Sequence, residues 1–289
     1  MPGTPDATPA PLFIVDGFNV LWAGTFGFPA PIFSRDKQRE LTGLFAFFAL
    51  LGATLRDDVD TDPPEVVVVF DGQSGTGERV AADADYKANR EQTPEALKPL
   101  QFLQSVKNGL DLAQLPWVEM EDQEADDVIA TLATRAATTR PVRIMSRDAD
   151  FYQLLTDPNI KIINRSRAAT RRLITADEVT DRYGVTPQQW PAYRALTGDP
   201  ADNIPGVKGV GPKIAAGLLA DGMTLDGLPA SGRLQGARGA TITANWRNVL
   251  RWHSMITVKR DLTVPYALTG TAGPRPPKAT DIVEKLGLW

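Results

Sequence analysis

The stretch "LFIVD" at residues 12–16 runs without a break through four apolar residues into an aspartate and is the first of three similar runs. The stretches "VVVVFD" at 66–71 and "VRIMSRD" at 142–148 have a similar form. Short apolar runs bounded by polar turns are typical of strands buried on both faces of a parallel sheet. Longer helical patterns lie between them, at 34–58 and 93–112. This alternation predicts an α/β fold built on a parallel, twisted sheet with flanking helices.

Each of the three predicted strands ends in an aspartate: Asp16, Asp71 and Asp148. Ligands of open α/β sheets bind beyond the carboxyl ends of the strands, so these side chains should converge on one crevice. Asp150 follows two residues after the last of them, and a helix predicted over 124–137 begins at the same edge. The first turn of that helix adds three more acids, Glu124, Asp126 and Asp127. A single acid of this kind is usually a turn residue or a helix cap, but several in one sheet are not easily explained in that way.

A cluster of carboxylates needs cations, because like charges repel and raise one another's pKa. The chain has no cysteine and a single histidine, His253. This composition excludes thiolate sites and nearly excludes a Ser-His-Asp triad or a multi-histidine zinc site. Oxygen ligands with few nitrogen alternatives favour Mg²⁺ or Mn²⁺. The acids are therefore predicted to hold metal.

The composition of the 289 residues, with 43% hydrophobic residues, is ordinary for a soluble globular protein. The first residues, "MPGTPDATPAP", are rich in proline and lack the apolar core of a signal peptide, so we predict a flexible leader over 1–10. No apolar run approaches the length of a membrane span, and a cytoplasmic location is expected.

The charge pattern indicates a polyanionic partner, although the net charge of −4 argues weakly against one. Five basic residues and no acid lie between Lys161 and Arg172. Eight basic residues and only two acids lie between Asn203 and Arg260. A basic surface beside an acidic cluster is typical of a protein that holds a polyanion near metal ions. Ordinary solvated charge on a helical region explains the same counts equally well.

The second half of the chain is predicted to be helices and turns around "GDPADNIPGVKGVGPKIAAGLL" at 198–219. Gly-rich turns let backbone N–H groups approach a phosphate, and the following helix N-terminus adds its dipole. The string "IPGVKGVGPKIA" predicts a helix-hairpin-helix that binds duplex backbone without reading bases. The residues expected to contact DNA are Gly206, Lys208, Gly209, Gly211 and Lys213. Just before them, Asp199 and Asp202 form a second carboxylate pair at i, i+3, for which capping of the turn is the competing interpretation.

Together these motifs resemble the bacterial and phage 5′-nuclease family, which includes the 5′→3′ exonuclease domain of DNA polymerase I, phage flap endonucleases and stand-alone exonucleases. The resemblance rests on "LFIVDGFNVLWA", "VVFDG", "DYKANR", "EADDVIA", "SRDADFYQLL" and "YRALTGDPADNIPGVKGVGPKIA", in this order and over nearly the whole chain. It implies a PIN-like nuclease core followed by a helix-hairpin-helix (helix-three-turn-helix) DNA-binding region. No polymerase domain follows Trp289, so a free-standing member is expected.

The resemblance also implies a two-metal site with Mg²⁺ or Mn²⁺, and K⁺ at the hairpin. The family's metal-binding carboxylates map onto nine positions, all of which are acidic here: Asp16, Asp71, Glu124, Asp126, Asp127, Asp148, Asp150, Asp199 and Asp202. The first metal would be held, directly or through water, by Asp71, Glu124, Asp126, Asp127 and Asp148. The second would be supported by Asp150, Asp199 and Asp202. Asp16 would serve either ion through water, and an active enzyme is expected.

The same resemblance assigns "DADYKANR" at 83–90 to an arch over the active site. Lys87 and Arg90 would contact the scissile and neighbouring phosphates and, with Asp148, act in catalysis. Tyr86 would face the terminal base or a nearby nucleotide. Taken without the family, a Y-K-x-x-R run is typical of a solvated helix face.

Two features depart from the family. Members commonly place a basic residue in the first helix, whereas here none follows Trp22 until Arg35. The Gly-rich stretch at 224–242 is also longer than usual. One phosphate contact and part of the duplex surface are therefore left without an assignment.

The predicted activity is two-metal 5′→3′ exonuclease or 5′-flap endonuclease hydrolysis of DNA that carries a 5′ end, a nick or a 5′ flap. A PIN-like ribonuclease shares the acidic crevice but does not need the hairpin. A non-catalytic DNA-binding module and a metal-dependent phosphatase are further alternatives. The sequence does not predict whether the exonuclease or the flap endonuclease activity dominates, or whether an RNA primer or DNA is preferred. It also does not predict the oligomeric state or the pathway, and no membrane or protein partner is predicted. The predicted organisation is a leader (1–10), an α/β catalytic core (11–175, with the arch near 78–112), a helical DNA-binding region (176–268) and a C-terminal tail (269–289).

Overall fold

The computed structural model describes residues 8–59 and 63–289 of the chain. The strands of this part are β1 (Leu12–Asp16), β2 (Glu65–Asp71), β3 (Trp117–Met120), β4 (Val142–Met145), β5 (Ile160–Ile163) and β6 (Leu173–Ile174). They form one sheet in the order β3-β2-β1-β4-β5-β6, in which every neighbouring pair is parallel except β5 and β6. β1 is central, with Ile14 opposite Val67 on one side and Ile144 on the other. The predicted parallel α/β sheet is confirmed.

Helices flank this sheet and make up most of the second half of the chain. The α-helices are α1 (Gly17–Gly27), α2 (Thr42–Asp57), α3 (Gly77–Ala82), α4 (Leu103–Leu112), α5 (Ala125–Ala137), α6 (Ala176–Tyr183), α7 (Trp190–Thr197), α8 (Pro212–Leu219), α9 (Gly236–Ala244), α10 (Trp246–Ile256) and α11 (Ala279–Lys285). Short 3-10 helices cover Lys98–Phe102, Asp150–Thr156, Ala169–Arg171, Pro187–Gln189 and Pro200–Asp202. The predicted helix-hairpin-helix corresponds to α7 and α8 with the turns between them.

Several predicted boundaries differ from the structure. The helix predicted at 34–58 begins only at Thr42, because the preceding residues form a turn closed by a bridge between Phe33 and Glu40. The strand predicted at 142–148 ends at Met145. Strands β3, β5 and β6 were not predicted, since each lies in a short run whose pattern cannot be separated from a loop.

The sheet is buried on both faces because its central strands are apolar at every position. In β1, Leu12 and Ile14 pack with α5 in one core, whereas Phe13 and Val15 pack with α1 and α2 in the other. All four side chains are fully buried. The first core continues through Trp190 into the helical second half, so the two halves share packing next to the carboxyl edge of the sheet.

The C-terminal segment belongs to the packed structure. Within the predicted tail at 269–289, α11 buries Ile282 and Val283 in the second core. Of the predicted leader, residues 1–7 lie outside the described residues, and the N–H of Ala10 donates to the carbonyl of Gly270 at 2.8 Å. Within the described ranges, none of the helices combines the length and apolar character that crossing a membrane requires.

The buried carboxylate of Glu65 links the start of β2 to the segment that follows α10. Its oxygens accept hydrogen bonds from Tyr266 Oη at 2.9 Å and from the N–H groups of Thr269 and Gly270 at 2.9 and 3.0 Å. Glu65 also pairs with Arg140 Nη2 at 2.5 Å. Burial opposes ionisation, but these donors outweigh it and hold the pKa of Glu65 below its ordinary 4.5.

Glu65→Gln should lower the free energy of unfolding by about 3 kcal/mol near pH 7, because it leaves Arg140 buried without its charged partner. Since the folded-state pKa of Glu65 lies below the unfolded value, its stabilisation is full above the unfolded value and is lost as pH falls through the folded one. Urea titrations at decreasing pH should therefore show the gap between wild type and variant narrowing. The exposed Glu95→Gln is the control, with a change within about 0.5 kcal/mol. A gap that does not depend on pH would contradict this role.

Candidate active site

A cavity of about 660 Å³, called here the acidic cavity, lies at the carboxyl ends of β1 and β2. Four segments that meet at this edge of the sheet each contribute one aspartate to its lining: Asp16, Asp71, Asp126 and Asp148. Two of these residues end their strands, one lies in the first turn of α5, and Asp148 follows the end of β4 by three residues. Because parallel strands bring their carboxyl ends to one edge, positions far apart in sequence are gathered here.

Asp16 is oriented by two hydrogen bonds. Its Oδ1 accepts from the N–H of Asn19 at 3.1 Å, which caps α1, and its Oδ2 accepts from Ser146 Oγ at 2.7 Å. Burial, with the charges of Asp71 and Asp148, raises the pKa of Asp16 from 3.8 to about 7. The side chain is therefore a fixed, buried acid that is short of positive partners.

The pKa values of the other three aspartates of the cavity are raised in the same way. Asp71 Oδ1 accepts from the N–H of Ala125 at 2.7 Å, which joins the end of β2 to the start of α5. Burial raises the pKa of Asp71, and it raises the pKa of Asp126 and Asp148 as well. The charge of Asp148 raises the pKa of Asp126 further. Negative charge is thus concentrated in the cavity beyond what the surrounding protein neutralises.

Asp150 is buried without lining this cavity, and its Oδ1 has no hydrogen-bond partner within the described ranges. Its N–H donates to Asp148 Oδ1 at 2.8 Å. Burial and the charge of Asp148 raise the pKa of Asp150 well above its ordinary value. An unpartnered buried carboxylate oxygen is costly, and a hard divalent cation is a partner that would satisfy it. The donor set of this cluster therefore fits such an ion.

The chain's own cations neutralise part of the cluster. Lys87 and Arg90 line the acidic cavity together with the aspartates, and the charge of Lys87 opposes the rise in the pKa of Asp71 and Asp126. Across the described ranges, no three acidic or histidine side chains lie close enough to ligate one ion as they stand. The nine predicted ligands therefore form a spread cluster in which several carboxylates are already paired.

Glu124 and Asp127 share a partner that was not predicted from the sequence. Arg79, in α3, pairs with Glu124 through Nη1 and with Asp127 through Nη2, the latter at 2.9 Å. Asp127 also accepts from the N–H of Lys259 at 2.9 Å, and Lys87 Nζ lies 2.5 Å from Glu124 Oε1. Both carboxylates are almost fully buried. They link α3 to the start of α5.

Asp127 does not line the acidic cavity, and its predicted role as a metal ligand stays a prediction. Consecutive residues of a helix point about 100° apart. Asp126 therefore faces the cavity, whereas the side chain of Asp127 points away from it and pairs with Arg79. Its contacts are those of a residue that positions this arginine.

Asp199 caps the turn before the hairpin, in agreement with the competing interpretation. Its Oδ1 accepts from the N–H of Ala201 at 2.9 Å, and its Oδ2 pairs with Arg194 at 2.5 Å. Together with burial, its charge raises the pKa of Asp148 and Asp150. It is near the acidic cluster without lining the cavity.

The segment 83–90, which the resemblance assigns to an arch, forms turns that pack on the turn carrying Asp202. Tyr86 Oη and Arg90 Nη2 both donate to the Asp202 carboxylate at 3.1 Å. Lys87, in the left-handed region at φ +55°, donates its N–H to the Asp202 carbonyl at 3.1 Å. Tyr86 is only 5% exposed, and its predicted contact with a DNA base stays a prediction. Its hydroxyl is held between carboxylates.

Gly206 is buried inside the hairpin, and its predicted contact with DNA stays a prediction. Its φ is +66°, and a Cβ there would lie 2.3 Å from the backbone nitrogen of Gly198. A Cβ at Gly209 or Gly211 would meet nothing within 4 Å. Lys208 and Lys213 are exposed, and neither forms an ion pair inside the described part of the chain. These four residues keep their predicted accessibility to a phosphate backbone: Lys208, Gly209, Gly211 and Lys213.

The basic stretch at 161–172 is largely neutralised. Arg165 and Arg172 pair with Asp58, and Arg167 pairs with Glu178. Further basic residues lie beside the hairpin, where a groove of about 240 Å³ is lined by Lys213, Arg233 and Arg238, the last two from the Gly-rich stretch at 224–242. Of these, Arg233 pairs with Asp221 at 2.9 Å.

An α/β sheet with an acidic cavity at its carboxyl edge, joined to a helical hairpin, is the arrangement of a PIN-like nuclease with a SAM-like helical domain. The chain belongs to the 5′-3′ exonuclease family. Residues 11–184 match the family's N-terminal resolvase-like domain, and residues 185–278 match its C-terminal SAM fold.

Relatives of two kinds match the sequence. A 5′-3′ exonuclease of Aquifex aeolicus is 36% identical over 209 residues, which cover 72% of this chain and 68% of that protein. The thermostable DNA polymerase I of Thermus thermophilus is 39% identical over 218 residues, which cover 75% of this chain. The DNA polymerase I of Deinococcus radiodurans is 40% identical over 229 residues, which cover 76% of this chain. The matched regions span only 24% and 22% of the two polymerases.

Solved structures share the fold. The bacteriophage T5 5′-exonuclease with bound zinc superposes with a TM-score of 0.67 at 21% identity, covering 85% of this chain and 89% of that chain. The T5 flap endonuclease in a pseudo-enzyme-product complex with DNA and metal ions gives a TM-score of 0.65 at 21% identity, covering 96% and 93%. The flap endonuclease of Methanococcus jannaschii gives 0.55 at 16% identity, covering 96% and 86%.

Proposed function

We propose that this chain is a divalent-metal-dependent 5′→3′ exonuclease and 5′-flap endonuclease that hydrolyses DNA phosphodiesters. The observation that carries the proposal is the acidic cavity, which four aspartates line together with Lys87 and Arg90. Carboxylates alone would repel a phosphate, but carboxylates that hold cations, with basic side chains in the same cavity, can bind and polarise one. The family membership, the metal ions and DNA bound to the phage nucleases, and the exposed hairpin lysines support the same function.

Different residues of the chain would bind the metal ions and the phosphate. Divalent ions, Mg²⁺ or Mn²⁺, would be held by Asp16, Asp71, Asp126, Asp148 and Asp150 and would supply a lower pKa for an attacking water and charge stabilisation at the phosphate. Lys87 and Arg90 would orient the scissile phosphate and neutralise the charge that builds on its oxygens. Both are tied to Asp202, just ahead of the hairpin, so duplex binding at the hairpin would set the position of these two cations.

The finer parts of the metal and domain assignments stay predictions. Glu124, Asp199 and Asp202 are each paired with a basic side chain, so their metal roles depend on releasing that partner. The choice between Mg²⁺ and Mn²⁺, K⁺ at the hairpin, the domain boundaries and the cytoplasmic location stay predictions as well.

A gel assay on end-labelled substrates tests the proposed function. Flap, nicked and blunt DNA duplexes and a single-stranded RNA would be incubated with Mg²⁺, Mn²⁺ or EDTA. We expect cleavage close to the 5′ end or the base of the flap with either metal, and none with EDTA. Cleavage of the RNA with no cleavage of the duplexes would overturn the proposal in favour of a PIN-like ribonuclease.

The hairpin lysines should account for part of the salt dependence of duplex binding. Replacing both Lys208 and Lys213 with Ala should weaken binding to the same degree for different sequences, because phosphate contacts carry no base information. The slope of log K against log salt should fall by about one unit for each lysine that binds a phosphate in the wild type. Fluorescence anisotropy in EDTA measures both quantities. Lys285→Ala, an exposed lysine of α11, is the control, and an unchanged slope in the double variant would place the duplex site elsewhere.

A further inference from the structure

A second cavity, called here the side pocket, adjoins the acidic cavity. Its volume is about 300 Å³, at the lower end of the range for small-molecule sites. Its wall is mainly aliphatic and is made by Val20, Ala23, Leu50, Met145 and Ile163. Polar atoms are confined to the rest of its lining, which includes Ser166, Arg165 and Arg147.

Asn19 and Arg147 separate the two cavities, since both residues line both of them. Asn19 Oδ1 accepts from the N–H of Arg147 at 3.1 Å and from its Nε at 3.3 Å. The N–H of Asn19 in turn donates to Asp16 at 3.1 Å. The boundary between the cavities is therefore built directly on one of the proposed metal-binding aspartates.

Arg147 is an exposed cation with free capacity. It forms no ion pair with any residue that the structure describes, and its terminal guanidinium nitrogens have no hydrogen-bond partner there. Arg165, across the pocket, is held by Asp58 and lies 3.6 Å from Asp57. Helix α1, which lines the same boundary, has no basic residue of its own. Arg147 is thus the available positive charge at this end of the acidic cavity.

An aliphatic wall beside an unpaired guanidinium suits a nucleotide, whose base or sugar needs apolar contact and whose phosphate needs a charge-assisted donor. Every residue that lines the side pocket precedes position 167, so the hairpin and the groove beside it contribute nothing to it. The portion of the substrate held by the hairpin therefore does not occupy this pocket. A strand that passes Arg147 on leaving the acidic cavity would enter it.

Resting on the proposed function, we infer that the side pocket binds a nucleotide of the unpaired 5′ strand next to the scissile phosphate, with Arg147 on the intervening phosphate. The pocket thereby adds affinity for substrates that carry a flap. Arg147 acts as a substrate-binding residue that the sequence motifs did not identify.

The test compares binding of a nicked duplex with binding of the same duplex carrying 5′ flaps of one to four nucleotides. Dissociation constants come from fluorescence anisotropy in EDTA. The flap gain of each protein is the dissociation constant for the nicked duplex divided by the dissociation constant for the flap duplex. We expect the wild type to bind the flap duplex more tightly than the nicked duplex. In Arg147→Ala the flap gain should be about tenfold smaller. Arg147→Lys should keep part of it. Ala23→Leu, which fills the side pocket, should remove most of it, and Arg171→Ala, an exposed arginine outside both cavities, is the matched control.

A flap that carries an abasic nucleotide tests the apolar contact without any change to the protein. It should lower the flap gain of the wild type and cause no further loss in Ala23→Leu, since both changes remove the same apolar contact. A flap gain that survives in Arg147→Ala, or that ignores the abasic nucleotide, would overturn the pocket assignment. Wild-type protein that neither binds nor cleaves any duplex would instead overturn the proposed function, so the two failures are distinct.

Discussion

Asp148→Asn should reduce DNA cleavage on the order of a thousandfold or more while leaving flap DNA bound equally well or more tightly. Asp148 lies in the acidic cavity, and its charge acts on Asp16 and Asp126. In the proposed function Asp148 helps to hold a divalent ion, and its loss would take away several kcal/mol of stabilisation of the charge that develops in phosphodiester hydrolysis. Removing its negative charge also lessens repulsion of the phosphate in the ground state.

Single-turnover cleavage with Mg²⁺ and anisotropy in EDTA separate these two effects for Asp148→Asn. Asp177→Asn removes an exposed acid that does not line the acidic cavity and should change neither quantity. Cleavage by Asp148→Asn at a rate close to that of the wild type would place the reaction outside this cavity. A loss of binding equal to the loss of cleavage would show that Asp148 supports the fold.

Arg79→Met should lower the free energy of unfolding by about 3–5 kcal/mol, because it leaves Glu124 and Asp127 buried without their shared partner. The arginine side chain is 11% exposed and each carboxylate is 2% exposed, so water cannot replace the missing guanidinium. Its Nε also donates to the carbonyl of Met255 in α10 at 2.8 Å, which adds a link to the helical half. Urea unfolding in EDTA measures the change.

Two variants make the Arg79 prediction specific. Arg79→Lys keeps one charge but cannot donate to both carboxylates at once, so its loss of stability should be intermediate. Arg56→Met removes an exposed arginine paired with Asp57 and should cost at most about 1 kcal/mol. If Arg79→Met is no less stable than Arg56→Met, the buried pairing does not stabilise the fold.

The side pocket and the Arg79 contacts show how the proposed chemistry depends on long-range packing. Arg147 lies 128 positions from Asn19, and Arg79 lies 45 and 48 positions from its two carboxylates. Neither arginine stands in a motif that predicts its partner. Ion pairs of this kind have no sequence periodicity, since only the final approach of two elements brings their side chains together.

The parallel sheet, the aspartates at its carboxyl edge and the exposed hairpin could all be predicted from local sequence patterns. Apolar runs specify strands that are buried on both faces, and the ends of parallel strands meet wherever the sheet forms. Asp16 and Asp71 could therefore be placed from local pattern alone. The same holds for Lys208 and Lys213, because a Gly-rich turn before a helix fixes local backbone geometry without help from distant residues.

Tertiary structure alone decided which acids face the acidic cavity and which are paired elsewhere. Asp126 and Asp127 are neighbours in the first turn of α5, yet only Asp126 lines the cavity, and Asp127 pairs with Arg79, which α3 brings to it. Tyr86 is buried because Asp202 is brought against it from 116 positions away. Local spacing sets how residues are arranged around their own helix or turn. The charge and burial that decide a carboxylate's role come from elements far along the chain.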